Sequence, residues 1–233
     1  KIKNWNIHSG TPMEVQNQFI NLTTGYEPII KLDRTVDLVD VEACTIKLPA
    51  GSQVYAQLMT SVAKLEVSTP EYQKTYNNYN NQMYNLGCME EDQLANITAT
   101  FKEGQTGPVQ LKIYVCHQDE YEKVYEALSK EQMEITSFKD DHIEGSITAD
   151  QSRTLLFSIP YDEGWKITVD GQQTKQYRIG EALMGIDLEA GTHQIALSYT
   201  PPGLWMGSLL TIASVGLYLG TIALEGRNRK KRE

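Results

Sequence analysis

The sequence predicts a mainly β protein: two β-sandwich-like subdomains joined by an amphipathic helix and followed by one transmembrane helix. Most apolar residues recur with period two, which is typical of half-buried strands. Turn residues punctuate these strands at intervals of about ten residues, as in sandwiches. An uncharged segment of 21 residues near the C-terminus has the length needed to cross hydrocarbon. With 40% hydrophobic and 22% charged residues, the composition excludes a disordered chain.

The period-two pattern and the turn signals divide the chain into six segments. We expect an extended or loop segment at 1–30, a β-rich subdomain at 31–118, a connecting helix at 119–131, a β-sandwich subdomain at 132–203, a transmembrane helix at 204–224 and a basic cytoplasmic tail at 225–233.

In the first subdomain the clearest strands are 97–101 and 109–115, where apolar and polar residues alternate. Residues 70–85, PEYQKTYNNYNNQMYN, hold four tyrosines and five asparagines and are predicted as an exposed loop. Interleaved tyrosine and asparagine can stack on sugars and hydrogen-bond to them, so Tyr76 and Tyr79 are candidate glycan contacts. The alternative is a surface loop that is only hydrated.

The connecting helix is predicted from an i, i+3, i+4, i+7 apolar pattern at Tyr121, Val124, Tyr125 and Leu128. Asp119 is expected as its cap or first-turn acid, and the helix should end near Lys130.

The second subdomain is predicted to contain strands at 142–149, 153–160 and 165–169. Asp170-Gly171 is a dipeptide preferred in type I′ hairpins, so residues 172–179 should return beside 165–169. Segments 183–188 and 193–199 are expected to pair with each other through a glycine-containing turn.

Two polar clusters in this subdomain are candidate sites. Asp140, Asp141, His142 and Glu144 combine carboxylates with an imidazole, which suits acid–base chemistry or cation binding, but aspartates between strands are also ordinary turn residues. Tyr161 and Trp165 bracket an acidic loop that contains Asp162, and these three residues are candidate glycan contacts. The alternative is a core tryptophan beneath a turn.

No catalytic residue and no metal site can be identified from the sequence. The four histidines are far apart, and no GxSxG motif or phosphate-binding loop occurs. The three cysteines, Cys44, Cys88 and Cys116, are too few and too widely spaced for a metal knuckle, allow at most one disulfide, and are interpreted as small buried hydrophobic residues.

The charge distribution argues against nucleic acid as a partner. The chain carries 21 basic and 30 acidic residues, and five of the basic residues lie in the last seven positions. Residues 1–203 therefore carry 16 − 28 = −12, which repels a phosphate backbone.

The segment 204–224, LWMGSLLTIASVGLYLGTIAL, predicts a transmembrane helix, with Trp205 suited to the aromatic belt. Gly216 and Gly220 offer a small-residue face to a neighbouring helix. The basic residues that follow favour a cytoplasmic tail, so residues 1–203 should lie outside the cytoplasm at the cell membrane. The lipid bilayer is thus an expected partner. Because the chain starts at Lys1 without an initiator methionine or signal segment, we expect the numbering to start inside a longer protein or after a processed leader.

Several stretches resemble the C-terminal part of YfhO-family bacterial membrane proteins. They are LLFSIPYDEGWK at 155–166, VDG at 169–171, GTH at 191–193, YTPPG at 199–203, FKDDHIEG at 138–145, PMEVQNQF at 12–19, and Leu22, Thr23 and Gly25. The likeness is most specific over residues 135–203.

The resemblance implies a polytopic glycosyltransferase of the GT-C type that uses a lipid-phosphate-linked sugar and, in Gram-positive relatives, decorates lipoteichoic acid. It implies that the catalytic half lies upstream of Lys1, that this region needs no cofactor of its own, and that it acts beside the upstream membrane domain on cell-wall glycan or teichoic acid. The alternatives are a single-pass, membrane-anchored carbohydrate-binding or adhesin-like module without enzymatic activity, and a structural subunit that packs through Gly216 and Gly220.

Overall fold

The computed structural model describes residues 2–38, 43–60, 62, 64–77, 83–104 and 109–230, with side chains as far as residue 224. The described strands form four sheets, so the expectation of a mainly β chain with a C-terminal apolar helix is confirmed. The chain has two compact units. The first contains Lys1–Gln132 and Ile179–Glu181, and the second contains Met133–Arg178 and Ala182–Glu233.

The first unit is built from two four-stranded sheets, with the orders β1-β8-β3-β6 and β2-β7-β4-β5. Their strands are β1 (Ile30–Leu38), β2 (Ala43–Leu48), β3 (Ser52–Leu58), β4 (Lys64–Ser68), β5 (Gln73–Asn77), β6 (Met83–Met89), β7 (Gln93–Thr100) and β8 (Val109–His117). One apolar core takes inward-facing residues from both sheets, among them Leu65, Leu86, Ile97 and Leu111, each 0% exposed. This unit is therefore a β-sandwich.

Two helices of the first unit pack on the outer face of the β1-β8-β3-β6 sheet. They are α1 (Pro12–Thr24) and α2 (Gln118–Ser129). Met13 of α1 and Val124 of α2 share a second apolar cluster with Tyr114 and Cys116 of β8. Strand β8 is therefore buried on both faces.

The apolar face predicted for α2 is only partly used. Val124 is 5% exposed, whereas Tyr121 and Tyr125 are 52% and 60% exposed and stack with ring centroids 6.5 Å apart. Asp119 is a first-turn acid paired with Lys123 one turn later, and His117 takes the N-cap position without a side-chain cap.

The prediction of an extended or loop segment at 1–30 is wrong, because α1 occupies its centre. Thr11 accepts a hydrogen bond from the Glu14 N–H while the Glu14 side chain accepts one from the Thr11 N–H, so the two form a capping box. Pro12 stands in the first turn, and Gly25 ends the helix at φ 77°. These capping residues were present in the sequence, but the apolar face is short, because within α1 only Met13 and Ile20 are buried.

The predicted exposed loop at 70–85 is also wrong where the structure describes it. Residues 73–77 and 83–85 belong to β5 and β6, while Tyr79 lies outside the described residues. Tyr84 is 2% exposed, and the hydroxyls of Tyr72 and Tyr76 donate to the backbone carbonyls of Leu86 and Asn85. The tyrosine rings pack at the edge of the sandwich while their hydroxyls donate hydrogen bonds to the backbone. The polar composition of this stretch is therefore compatible with strands, although it is typical of a loop.

The second unit contains a five-stranded sheet, β13-β12-β16-β10-β9, and a three-stranded sheet, β11-β15-β14. The strands are β9 (Glu134–Lys139), β10 (His142–Ala149), β11 (Arg153–Pro160), β12 (Trp165–Val169), β13 (Gln172–Thr174), β14 (Tyr177–Ile179), β15 (Leu183–Leu188) and β16 (Gly191–Tyr199). Both sheets contribute to one core that includes Ile167, Ile186 and Leu197.

The Asp170-Gly171 hairpin is confirmed, because both turn residues have positive φ, 52° and 79°, as a type I′ turn requires. The expected return of residues 172–179 holds only for 172–174, because residues 177–179 form β14 in the three-stranded sheet. The expected pairing of 183–188 with 193–199 is wrong. Strand β15 pairs with β11, whereas β16 pairs with β10 and β12 in the other sheet. The connection at 189–190 therefore crosses between sheets, and the residues of the turn do not determine which strand pairs with which.

The last helix, α3 (Leu204–Lys230), follows β16 after only four residues, 200–203. Its segment Leu204–Leu224 is long and apolar enough to cross a membrane, and none of it is buried against the described part of the chain. At 1.5 Å per residue, 21 residues span about 32 Å, which matches a hydrocarbon core of about 30 Å.

Candidate functional site

The register of the five-stranded sheet brings several family-like stretches of the second unit to one end. Strands β9 and β16 run toward this end, and β10 and β12 start from it, because Lys139 pairs with His142, His142 with Ser198, and Trp165 with Tyr199. We call residues 138–141, 161–165 and 199–203 the juxtamembrane rim, since α3 begins immediately after its last residue.

Backbone hydrogen bonds hold the rim together. The Tyr199 N–H donates to the Asp141 carbonyl at 2.8 Å, and the Thr200 N–H donates to the Gly164 carbonyl at 3.0 Å. The segment that leads into α3 is therefore clamped between the β9–β10 turn and the loop at 161–164. Separate stretches of the family-like sequence meet through this clamp.

The loop at 161–164 uses its polar groups for its own conformation. Asp162 Oδ1 accepts a hydrogen bond from the Gly164 N–H at 2.7 Å, and the Asp162 carbonyl accepts from the Trp165 N–H and from Gln176 Nε2 at 3.2 and 3.1 Å. Gly164 is needed because a Cβ atom there would lie 2.5 Å from the Thr200 carbonyl oxygen. Asp162 is therefore a loop-forming residue.

The aromatic side chains of the rim already have partners on one side. The Trp165 ring packs against Tyr199 at a centroid distance of 5.0 Å and a tilt of 49°, and the Arg178 guanidinium lies 4.6 Å from the centroid of Tyr161. Trp165 also packs against the core of the second unit while remaining partly exposed. Both interpretations of Trp165, core residue and surface aromatic, describe part of its position.

The predicted acidic cluster lies at the same rim. Asp140 and Asp141 form the two-residue turn between β9 and β10, and His142 Nε2 lies 2.8 Å from Glu144 Oε1. Both of the latter side chains are exposed enough, at 37% and 50%, to bind a ligand from solvent. Among the described residues, no three His, Cys, Asp or Glu side chains are grouped so as to hold a metal ion.

The net charge of the rim itself is negative. Asp140, Asp141, Asp162 and Glu163 are opposed by Lys139 alone within the defined residues, a balance of 1 − 4 = −3. Such a surface attracts cations and neutral polar groups and repels polyanions. Neutral sugars suit it better than phosphates do.

The first unit holds the remaining predicted glycan contact that is described. Tyr76 packs edge-on against Tyr84 at 4.9 Å, donates its hydroxyl to the backbone, and has its pKa raised by burial. Its ring is therefore partly used in packing. Gly216 and Gly220 lie on α3 with no atom of the described chain within 4 Å of an added Cβ, so the helix face that they form is open.

An open groove of about 410 Å³ lies along α1 in the first unit. Its walls are Glu14, Asn17, Gln18, Asn21, Glu27 and Pro28. The Asn17 side chain donates to the Ile30 carbonyl and accepts from the Ile30 N–H, and the Asn21 side chain donates to the Tyr26 carbonyl. These amides attach α1 to the following chain, so the groove is a by-product of that attachment and we assign it no ligand.

Sequence reasoning missed two features of the second unit. Tyr199 connects the other two segments of the rim, because its N–H bonds to Asp141 and its ring packs against Trp165. Its position directly before the link to α3 was the signal in the sequence. His193 Nδ1 lies 2.7 Å from Asp170 Oδ2 at the type I′ turn, at the other end of the sheet. Its hydrogen bond to Asp170 raises the pKa of His193.

The carboxyl of Asp170 is fixed by a second bond as well. The Gln194 N–H and the His193 ring both donate hydrogen bonds to it. Both bonds lower the pKa of Asp170, and the bond from Gln194 has the larger effect. This pair stabilises a non-glycine residue at positive φ and requires no ligand.

Comparison with known proteins gives a consistent family assignment. The model of the family described as "Bacterial membrane protein YfhO" matches residues 31–211. The uncharacterized protein YfhO of Bacillus subtilis (strain 168) is 20% identical over 112 residues, which are 47% of this chain and 13% of that protein. The chain thus covers only a small part of the relative's length.

Solved structures resemble the chain only weakly. A cupin 2 conserved barrel domain protein from Leptotrichia buccalis is 12% identical, covering 73% of this chain and 91% of its own, with a TM-score of 0.22. A GH2 beta-galacturonidase from Eisenbergiella tayi is 10% identical, covering 77% and 38%, also with a TM-score of 0.22. Similarity at this level supports no argument about fold or function.

Proposed function

The chain belongs to the YfhO family of bacterial membrane proteins, and from this premise we propose that it is the extracytoplasmic C-terminal region of a polytopic glycosyltransferase. In this proposal the upstream membrane domain transfers sugar from a lipid-phosphate-linked donor to a cell-envelope polymer such as lipoteichoic acid. The present region covers that reaction site or guides the acceptor.

One observation carries the proposal: the juxtamembrane rim holds exposed polar and aromatic groups a few residues from a membrane-length helix. Tyr199 and Leu204 are separated by five residue steps, which extend at most about 17 Å. The Leu204 N–H bonds back to the Pro201 carbonyl, which makes the path shorter still. In this proposal the sugar of a lipid-phosphate-linked donor lies in the headgroup region beside that helix, within reach of the rim.

The charge of the region limits which part of an acceptor it contacts. Residues 1–203 carry −12 and the rim carries −3, so a polyanionic acceptor is repelled unless cations lie between them. We therefore propose that the rim contacts sugar units, through the ring of Trp165 and the carboxylates beside it, and leaves the polymer phosphates in solvent.

The interpretation of the cysteines as buried is wrong for Cys88, which is exposed. The orientation is tested with Cys88 in a chain where Cys44 and Cys116 are replaced by serine. A membrane-impermeant maleimide should label Cys88 in intact cells. Labelling that requires permeabilised cells would place residues 1–203 in the cytoplasm and contradict the proposed orientation.

The activity is tested with the whole protein in proteoliposomes that contain a polyprenyl-phosphate sugar and an acceptor polymer. Asp141→Asn and Glu163→Gln together should lower the rate of sugar transfer at limiting acceptor concentration, because both side chains lie at the rim. Glu189→Gln, at the opposite end of the sheet, is the matched control. Equal rates for all variants would exclude a guiding role for the rim, and absence of transfer by the wild type would exclude the glycosyltransferase assignment.

The partly exposed Trp165 also favours a second candidate, a membrane-anchored carbohydrate-binding module without enzymatic activity. Titration of cell-wall oligosaccharides should then shift the Trp165 indole NMR signal in the chain alone. A flat titration would remove this candidate while leaving the transferase proposal intact.

The upstream membrane domain is the proposed partner of α3. Replacing Gly216 and Gly220 by leucine should disrupt this association, because the small-residue face would be filled. Co-purification of the separately expressed halves measures it, and Ser214→Leu on the same helix serves as a control for added bulk. Undiminished co-purification would contradict packing through these glycines.

A further inference from the structure

Two large apolar side chains are exposed on the edge strand of the second unit's five-stranded sheet. Phe138 and Ile135 of β9 are 71% and 58% exposed. Phe138 pairs with the buried Ile143 and Ile135 pairs with Gly145, so both lie on the face of the sheet that carries the core. Strand β9 is last in its sheet, and an exposed apolar edge of this kind marks a contact surface.

Phe138 lies near the end of the sheet from which α3 starts. Phe138 pairs with Ile143, which in turn pairs with Leu197 of β16. Leu197 lies two residues before Tyr199, so Phe138 is about 7 Å from the level of Tyr199 along the strand direction. β10 alone separates β9 from β16, so the lateral distance is about 10 Å. The headgroup layer of a bilayer is roughly 5–8 Å thick on each side.

We propose that this edge of the rim rests in the headgroup layer of the bilayer, with Phe138 as its apolar anchor and Trp165 and Tyr199 as interfacial aromatics. The short link from Tyr199 to Leu204 holds the edge close to the lipid. Aromatic rings are favoured at this depth because they combine an apolar body with a polarisable or polar edge.

The charges of the rim select the lipid chemistry. Lys139 follows Phe138, but Asp140 and Asp141 come next, and the rim carries −3. A zwitterionic surface such as phosphatidylcholine has no net charge and does not repel the negatively charged rim, whereas an anionic lipid surface does. The inference rests on α3 crossing the bilayer and does not depend on glycosyltransferase activity.

The test uses residues 1–233 reconstituted in phosphatidylcholine vesicles whose acyl chains are brominated near the headgroup. Single-tryptophan chains place the probe at Phe138→Trp, at the native Trp165, or at Ala190→Trp, with the other native tryptophans replaced by phenylalanine. Ala190 is exposed and lies more than about 27 Å from Tyr199 along β16, which makes it the matched control.

We expect the brominated lipid to quench the fluorescence of the F138W chain strongly and that of Trp165 measurably, and to leave the emission of the A190W chain unchanged. Equal quenching of F138W and A190W would overturn the proposal. So would an F138W probe that is shielded from iodide yet not quenched by lipid, because protein would then cover this edge.

A chain with Trp205 as its single tryptophan separates the two assumptions. Trp205 is 81% exposed at the start of α3, so it should be quenched whenever that helix enters the bilayer. Quenching of Trp205 without quenching of F138W refutes the resting edge alone. In a second set of vesicles, anionic phosphatidylglycerol should weaken the F138W quenching, and stronger quenching would contradict the electrostatic part of the inference.

Discussion

Replacing Gly164 by alanine should destabilise the second unit, because the added Cβ would lie 2.5 Å from the Thr200 carbonyl oxygen and 2.7 Å from Cε2 of Tyr199. The carbonyl belongs to the backbone that leads into α3, and the Thr200 N–H already bonds to Gly164. Neither neighbour can move without loosening the clamp that holds the rim together.

The expected size of this effect follows from the cost of overpacking. Inserting a methyl group into closely packed structure costs about 1–3 kcal/mol. For a unit of 60–100 residues, 1 kcal/mol lowers Tm by roughly 4–8 °C, so the expected decrease in Tm is about 10 °C.

The assay is thermal unfolding of the whole chain in detergent micelles, followed by Trp165 fluorescence in a W5F and W205F background. Trp165 reports the clamp directly, because its ring packs 5.0 Å from that of Tyr199. Gly207→Ala is the control: it adds the same methyl group on a helix where, apart from the helix's own neighbouring backbone, no described atom lies within 4 Å of the added Cβ. A Gly164→Ala chain that unfolds at the same temperature as the Gly207→Ala chain would refute the close approach.

Three further predictions concern stability, ionisation and thiol reactivity. Ile167→Ala, at a site 1% exposed, should cost about 2–5 kcal/mol through cavity formation, whereas Ile135→Ala, at 58% exposed, should stay within about 0.5 kcal/mol in chemical denaturation. His193 should titrate above its ordinary pKa of 6.5 because its ring donates a hydrogen bond to the Asp170 carboxylate. Its contribution to stability is therefore complete below pH 6.5 and is lost as the pH rises through the raised pKa. Asp170→Asn should lower the NMR titration midpoint, and an unchanged midpoint would disprove the pairing. Burial raises the pKa of Cys116 to about 11, so iodoacetamide at pH 8 should modify it far more slowly than in the urea-denatured chain, as mass spectrometry would show.

Local signals in the sequence were sufficient for several elements. The alternating residues of β8, the type I′ turn at Asp170-Gly171 and the helix α2 all follow from patterns within about ten neighbouring residues. The strands around Tyr76 and Tyr84 were predicted as a loop because polar composition does not reveal how a tyrosine is placed. Tyr84 is buried, and Tyr76 is half-buried while its hydroxyl bonds to the backbone.

Helix α1 was missed for a different reason. Its capping residues, Thr11 and Glu14 at the start and Gly25 at the end, form an adequate local signal. Its buried face is small, however, because only Met13 and Ile20 within the helix are buried, and the apolar periodicity of the segment is therefore weak. Capping chemistry and periodicity are separate signals, and here the first was the informative one.

The sequence by itself determined the membrane-length helix, the β class and the family, because each depends on composition or on residues adjacent along the chain. Which strands share a sheet was decided only by tertiary structure: β15 pairs with β11, and β16 pairs with β10 and β12. Strand pairing brings together residues that are distant in sequence, and no local pattern encodes it. The juxtamembrane rim exists because this register places Asp141 and Gly164 on either side of the chain at Tyr199 and Thr200, beside the start of α3.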